Sequence, residues 1–164
     1  MQGTIAHRIA PVRKRIDQAL VTQPHAILTA RLRLALILEI LVVYAVTLVR
    51  LRRHNVGEIV ARGWDGAGRA TERPDVPYTP EEHTRLARRL GWAVTRTLTV
   101  LPTDSRCLVQ SLVLKRLLAA RSIPSALVIG ARSDGPFTAH AWVECHSVAV
   151  LPSRGYENSR LVEL

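Results

Sequence analysis

The chain has 164 residues, 48% of them hydrophobic but only 4% aromatic, a composition that excludes a disordered chain and predicts one aliphatic core with at most a small appendage. Its net charge is +10 at pH 7, mostly from residues before 104, which indicates an acidic partner, an anionic membrane surface, nucleic acid or a coding bias toward Arg. No nucleic-acid recognition motif or set of stacking aromatic residues accompanies the charge, which argues against nucleic acid.

Residues 1–78 are predicted to be a basic, helical N-terminal region with a loop. Residues 4–20 have weak helical periodicity, and we expect Pro11 to limit a helix there. A long helix is predicted from about Ala26 to Arg53. The first fifteen residues contain no apolar run before a cleavage site, and two cysteines do not make a disulfide framework. Both facts favour the cytoplasm.

An apolar segment, Leu34–Val49, lies inside that long helix between flanking arginines. It is short for a bilayer span, which needs about 20 residues. Glu39 in its middle adds about 2.5–3.5 kcal/mol to insertion. We therefore expect a buried or interface-seeking helix, peripheral to a membrane at most, rather than a span.

Residues 79–164 are predicted to form the second unit. Gly and Pro residues over 63–80 indicate a linker or surface loop. Thr79 reads as the N-cap of a helix that runs to about Val100, with Pro80 at its first position. Pro102 ends that helix, and Asp104 or Ser105 can cap the next one.

This next helix, from about 106 to 121, is apolar on most sides and is therefore predicted to be central and buried. Strands are predicted over 126–131 and 137–145, with a third over 148–151 and an irregular tail. The order of elements predicts an α+β fold in which the central helix packs across a small antiparallel sheet.

Cys107 and His140 are the candidate catalytic pair. Cys107 falls in the first turn of the central helix, where unpaired N–H groups favour a thiolate and offer an oxyanion donor. Alternation along the strand puts His140, Trp142 and Glu144 on one face. A strand histidine that faces a cysteine at a helix N-terminus is typical of papain-like sites.

Taken singly, these residues also have structural explanations. A cysteine in an apolar helix usually belongs to the core, and so does a strand tryptophan such as Trp142. Cys145 is most simply a packing residue, and His146 is expected to be exposed. Cys145 and His146 lack the spacing and ligand number of a metal site. No metal and no cofactor are therefore predicted.

The stretch from Cys107 to Glu144 resembles the transglutaminase-like core of lasso-peptide biosynthesis B proteins, the leader peptidases also called microcin-processing proteins. The resemblance rests on Cys107-Leu108-Val109, Ile123-Pro124, Leu127-Val128-Ile129-Gly130 and His140-Ala141-Trp142-Val143-Glu144. It covers about residues 104–150, and the preceding helices resemble the stand-alone form of the family, which lacks a leader-recognition domain.

The resemblance implies a cysteine protease that removes the leader from a ribosomally made lasso-peptide precursor. It thereby implies a role in the biosynthesis of a peptide antibiotic. Cys107 matches the nucleophile and His140 the general base. A separate recognition protein holds the leader, and a lasso cyclase acts on the freed core peptide.

The chain departs from the family pattern at its end. The family usually has an Asp about a dozen residues after the histidine, but residues 148–153 read VAVLPS. Glu157 or Asn158 can take the orienting role, as can a backbone carbonyl or a water. Glu144 lies about 6.6 Å along the strand and would orient the ring poorly. Ser147 also replaces a family Gly.

Three readings therefore stay open from the sequence: a Cys-His dyad, a substituted triad, or a non-catalytic scaffold of the same fold that assembles the maturation proteins. Acyl transfer between a Gln amide and an amine, as in true transglutaminases, is less favoured because the chain is short.

Overall fold

The computed structural model describes residues 3–22, 29–53, 78–101, 106–133, 137–153, 155 and 159–163. Within these ranges it has four helices, α1 (Gly3–Thr22), α2 (Ala30–Arg53), α3 (Pro80–Leu98) and α4 (Arg106–Ala119). They precede four strands, β1 (Ala126–Arg132), β2 (Thr138–Cys145), β3 (Val148–Ala149) and β4 (Arg160–Glu163). The strands form one antiparallel sheet in the order β3-β2-β1-β4. The predicted α+β fold is confirmed.

Two expectations about the ends of the chain were wrong. Pro11 lies inside α1 and does not limit it. The missing N–H of Pro11 weakens the helix locally. The helix is nevertheless held in place by Ile16, Leu20 and Val21, whose side chains are buried in the core. The tail is not wholly irregular, because β4 pairs with β1. Four residues are too few for a period-2 pattern to reveal a strand in the sequence.

Helix α3 begins as its sequence predicts. Thr79 Oγ1 accepts a hydrogen bond from the Glu82 N–H at 3.3 Å, and the Thr79 N–H donates to Glu82 Oε2 at 2.7 Å. This reciprocal capping box satisfies two N–H groups that the helix itself leaves unpaired. The inner face of the helix is fully buried, at Leu86, Leu90 and Val94 among others.

Helix α4 is the central helix of the fold. Val113, Leu114, Leu117 and Leu118 are completely buried, and α4 packs against α2, α3 and β2. The predicted central, buried helix is therefore confirmed, although it ends at Ala119 and a turn occupies residues 120–122.

A buried ion network joins the N-terminal helices to the turn after α4. Arg121 donates to Asp17 at 2.7 Å and to Glu39 at 2.8 Å, and Arg13 donates to Glu39 at 2.9 Å. Arg121 is nearly inaccessible to solvent. These ion pairs therefore offset the cost of removing its charge from water. Glu39, the acidic residue of the apolar segment, is thus a structural ion-pair partner.

Helix α2 is the described helix that could cross a membrane by length and composition, and its most apolar 18-residue window has a mean hydropathy of 2.3. In the structure Leu36, Ile40 and Thr47 bury one side of it against the protein, and the paired Glu39 also faces the body. These contacts support a helix that lies on the protein. The predicted domain boundary between residues 78 and 79 stays a prediction.

Candidate active site

Cys107 is the second residue of α4, which begins at Arg106. Its side chain is half-buried and its thiol is free. The first N–H groups of an α-helix have no partner within the helix, so Cys107 lies where backbone donors and the helix dipole favour an anion. The predicted caps Asp104 and Ser105 lie outside the described residues.

His140 lies in β2, opposite Gly130 of β1. The expected alternation holds, because the His140 and Trp142 rings are stacked with centroids 6.2 Å apart and an interplanar angle of 16°. The imidazole is half-exposed, whereas Trp142 is fully buried. A solvent-reachable imidazole is thus held against a rigid, buried indole.

The imidazole Nε2 of His140 is 2.7 Å from the backbone carbonyl oxygen of Pro152. A carbonyl can only accept, so Nε2 must carry the proton and donate it. In the neutral ring Nδ1 is then the basic nitrogen. Pro152 follows His140 by twelve residues, the interval at which an orienting Asp was sought in the sequence.

A tight turn brings Pro152 back to His140. His146 and Ser147 both have positive φ, at 49° and 62°, which is the backbone form of a type I′ hairpin. The chain then returns beside β2, with a hydrogen bond of 2.9 Å from the Val150 N–H to the Val143 carbonyl. Ser147 thus occupies a left-handed position that favours glycine.

Ser111 links the cysteine helix to the histidine strand. Its buried Oγ donates to the carbonyl of Ala141 at 3.0 Å. Ser111 lies one helical turn after Cys107 on the same side of α4, and Ala141 directly follows His140. Cys107 and His140 therefore both belong to the junction of α4 and β2. Ser111 belongs to the stretch that carries the family resemblance, but its hydrogen bond to Ala141 was not predicted from the sequence.

Glu144 is held by other groups. Its Oε1 accepts hydrogen bonds from Trp142 Nε1 at 2.8 Å and from Arg160 Nη2 at 2.7 Å. Trp142 fits here because Gly130 has no side chain, and a Cβ at Gly130 would lie 3.0 Å from the indole. The carboxylate of Glu144 thus fixes the indole behind His140.

Alternation puts Cys145 on the face of β2 opposite His140, and His146 lies in the turn that follows β2. Cys145 is completely buried, and burial raises the pKa of its thiol, although a hydrogen bond with Thr84 opposes the shift. His146 is exposed and stacks on His83 with centroids 5.7 Å apart. Among the described residues no three His, Cys, Asp or Glu side chains are grouped as metal ligands.

Glu157 and Asn158, the candidate orienting side chains, lie outside the described residues, so their role stays a prediction. The carbonyl of Pro152 is the group that the described structure places on Nε2.

Comparison with family models matches residues 43–161 to the transglutaminase-like superfamily. Comparison with curated proteins and with solved structures found no match. Members of this superfamily commonly use Cys, His and Asp for protease activity, which is the chemistry for which Cys107 and His140 are candidates. The family match spans most of the chain, including α3, α4 and most of the sheet, and the chain therefore belongs to the transglutaminase-like superfamily.

Proposed function

We propose that the chain is a thiol peptidase that removes the leader from a lasso-peptide precursor. The observation that carries the proposal is the hydrogen bond between His140 Nε2 and the Pro152 carbonyl. It orients the imidazole of a strand that Ser111 ties to the Cys107 helix. Thiol proteases need a histidine that is held in one tautomer close to a thiol at a helix N-terminus, and these two hydrogen bonds support such an arrangement.

In the proposed mechanism His140 Nδ1 takes the proton of the Cys107 thiol, and the imidazolium keeps its Nε2–H on the Pro152 carbonyl. The thiolate attacks the scissile carbonyl carbon, and the backbone N–H of Cys107 donates to the developing oxyanion. His140 then protonates the leaving amine, which gives an acyl-enzyme. Water, deprotonated by His140, hydrolyses the thioester and restores the thiol.

The substrate assignment rests on the resemblance of the Cys107–Glu144 motifs to the lasso-peptide B proteins. By that resemblance a separate recognition protein presents the leader, and a lasso cyclase receives the freed core peptide. The reaction takes place in the cytoplasm and needs no cofactor.

The test is a cleavage assay with precursor peptide and recognition protein, followed by mass spectrometry. Cys107→Ala and His140→Ala should lose cleavage by about a thousandfold or more. The matched control, Cys145→Ala, should retain activity, because that thiol is buried away from substrate. Full activity in Cys107→Ala would exclude the mechanism.

The second candidate is a non-catalytic scaffold of the same fold, favoured by the absence of an Asp among residues 148–153. A scaffold would bring recognition protein and cyclase together without consuming precursor. It predicts that Cys107→Ala supports product formation as well as the wild type does when all maturation proteins are present.

A further inference from the structure

Helix α2 carries an apolar outer face that nothing in the described structure covers. Leu34, Leu38, Leu41, Val42 and Val49 lie on the side opposite the buried Leu36, Ile40 and Thr47, as the helical repeat requires. Leu34, Leu38 and Val42 are each more than half exposed, at 68%, 60% and 55%. Contiguous exposed aliphatic side chains of this kind are typical of an interaction site.

Arginines stand at both ends of the outer face. Helical spacing puts Arg31 at one end and Arg52 and Arg53 at the other. The rise of an α-helix separates the two ends by about 32 Å. The one acidic residue of α2, Glu39, is paired with Arg121 and Arg13, so it does not offset these charges on the outer face.

Arg116 of α4 lies near Arg50, toward the C-terminal end of α2. Its Nη1 is buried and has no hydrogen-bond partner in the described structure. Burial lowers the pKa of Arg116, and the nearby charge of Arg50 lowers it further. Because Nη1 is inaccessible, Arg116 does not contribute a cation to the outer face.

We propose that the outer face of α2 lies in the interface of an anionic membrane. Its aliphatic side chains enter the boundary between headgroups and acyl chains, while the arginines at both ends contact lipid phosphates. This is the physical pattern of an interfacial helix, apolar along its length with cationic anchors. The body of the protein stays above the headgroups, because the opposite side of α2 is packed on it.

The charges and composition disfavour other occupants. In a dimer formed through two outer faces, either relative direction of the helices would bring arginine ends together, which is repulsive. A protein partner is less favoured because no aromatic side chain lies on the outer face. The centres of protein interfaces are enriched in Tyr and Trp, and Tyr44 of α2 is half-buried.

The test measures co-sedimentation of the full chain with vesicles of phosphatidylcholine alone or mixed with phosphatidylglycerol. The wild type should bind the anionic vesicles, and added salt should weaken binding. Val42→Glu should reduce binding about tenfold or more. Its matched control is Val100→Glu, at an exposed valine outside α2, which should bind like the wild type.

Arg52→Gln, which removes a cation at one end of the outer face, should weaken binding about fivefold at low salt. Leu38→Ser provides a second outer-face variant if Val42→Glu does not fold, as judged by circular dichroism. The proposal is overturned if the wild type does not bind anionic vesicles, or if both outer-face variants bind as the wild type does. Vesicle-independent capture of the recognition protein by the wild type but not by Val42→Glu, with no lipid binding, would instead make this face a protein-docking site.

The readout needs no peptidase activity. Cleavage of soluble precursor by Val42→Glu should equal that of the wild type, so a failure of lipid binding and a failure of the proposed peptidase are distinguishable.

Discussion

His140 and Pro152 are joined through a main-chain group, with Nε2 of the imidazole 2.7 Å from the proline carbonyl oxygen. This carbonyl lies at the interval from His140 at which an orienting aspartate is expected but missing from the sequence. It fixes the Nε2–H tautomer by hydrogen bonding alone and adds no negative charge. It therefore stabilises an imidazolium less than a carboxylate would.

We expect substitutions at the candidate orienting side chains to have small effects. Glu157→Ala and Asn158→Ala should each retain kcat/KM within about threefold, because the Pro152 carbonyl already orients the ring. His140→Ala, measured in parallel, should lose about a thousandfold or more. A hundredfold loss in either of the first two variants would identify a side-chain third member.

Pro152 should matter through the stiffness of its backbone. Proline restricts its own φ to about −65°, which helps to hold the carbonyl at Nε2. Pro152→Ala keeps the carbonyl and should lower kcat about threefold, while Pro152→Gly loosens it and should lower kcat about tenfold. Equal kcat values for the wild type and Pro152→Gly would show that orientation comes from elsewhere.

The two cysteines should differ sharply toward a thiol-reactive probe. At neutral pH the native chain should take up one equivalent at the half-exposed Cys107, since Cys145 is buried and burial raises the pKa of its thiol. Mass spectrometry after proteolysis assigns the label. The folded Cys107→Ser variant should take up no label. The wild type should take up a second equivalent, at Cys145, only in denaturant. Similar labelling of both thiols in the native chain would argue against an activated Cys107.

Acid should weaken the ion network at Glu39. Burial opposes ionisation there, but the hydrogen bonds and charge of Arg121, with help from Arg13, hold the pKa of Glu39 below its ordinary value of 4.5. The resulting stabilisation is fully present above pH 4.5 and is lost as the pH falls through the folded-state pKa. Glu39→Gln should therefore cost about 1–3 kcal/mol at pH 7 and less at pH 3, measured by urea unfolding.

Asp17→Asn is the matched control, because burial raises the pKa of Asp17 and Arg121 only reduces that shift. Ionised Asp17 thus carries a cost that disappears as the pH falls through its raised folded-state pKa. The stability difference between the wild type and Asp17→Asn should not shrink on acidification as that of Glu39→Gln does. Parallel trends in the two variants would contradict the assigned pKa directions.

Ser147→Gly should stabilise the hairpin that positions Pro152. Ser147 has φ of 62°, which costs a residue with a side chain about 1 kcal/mol relative to glycine. Thermal unfolding should show a gain of about that size. A loss of stability would mean that the serine side chain contributes more than its backbone conformation costs.

The sequence predicted the elements whose signals are local. The Thr79 N-cap, the apolar surface of α4 and the alternation that places His140 with Trp142 each depend on residues a few positions apart. The sequence did not predict β4, because a four-residue strand at the sheet edge depends on pairing with β1 and not on its own pattern.

The site was only partly predictable for a related reason. Cys107 and His140 could be chosen from their residue types and their places in a helix and a strand. The Pro152 carbonyl could not be chosen, since every residue has one and only the turn at His146 and Ser147 determines which carbonyl reaches the ring. Arg121 could not be predicted as an ion-pair partner either, because its contacts with Asp17 and Glu39 span 104 and 82 residues of chain.

Gly91 links α3 indirectly to the imidazole of His140. A Cβ at Gly91 would lie 2.7 Å from the backbone oxygen of Val150, two residues before Pro152. Even a single methyl group at Gly91 would push on the chain that carries the carbonyl toward Nε2. A substitution at Gly91 should thus affect the proposed peptidase activity through the Pro152 carbonyl, although Gly91 lies in a helix outside the proposed site.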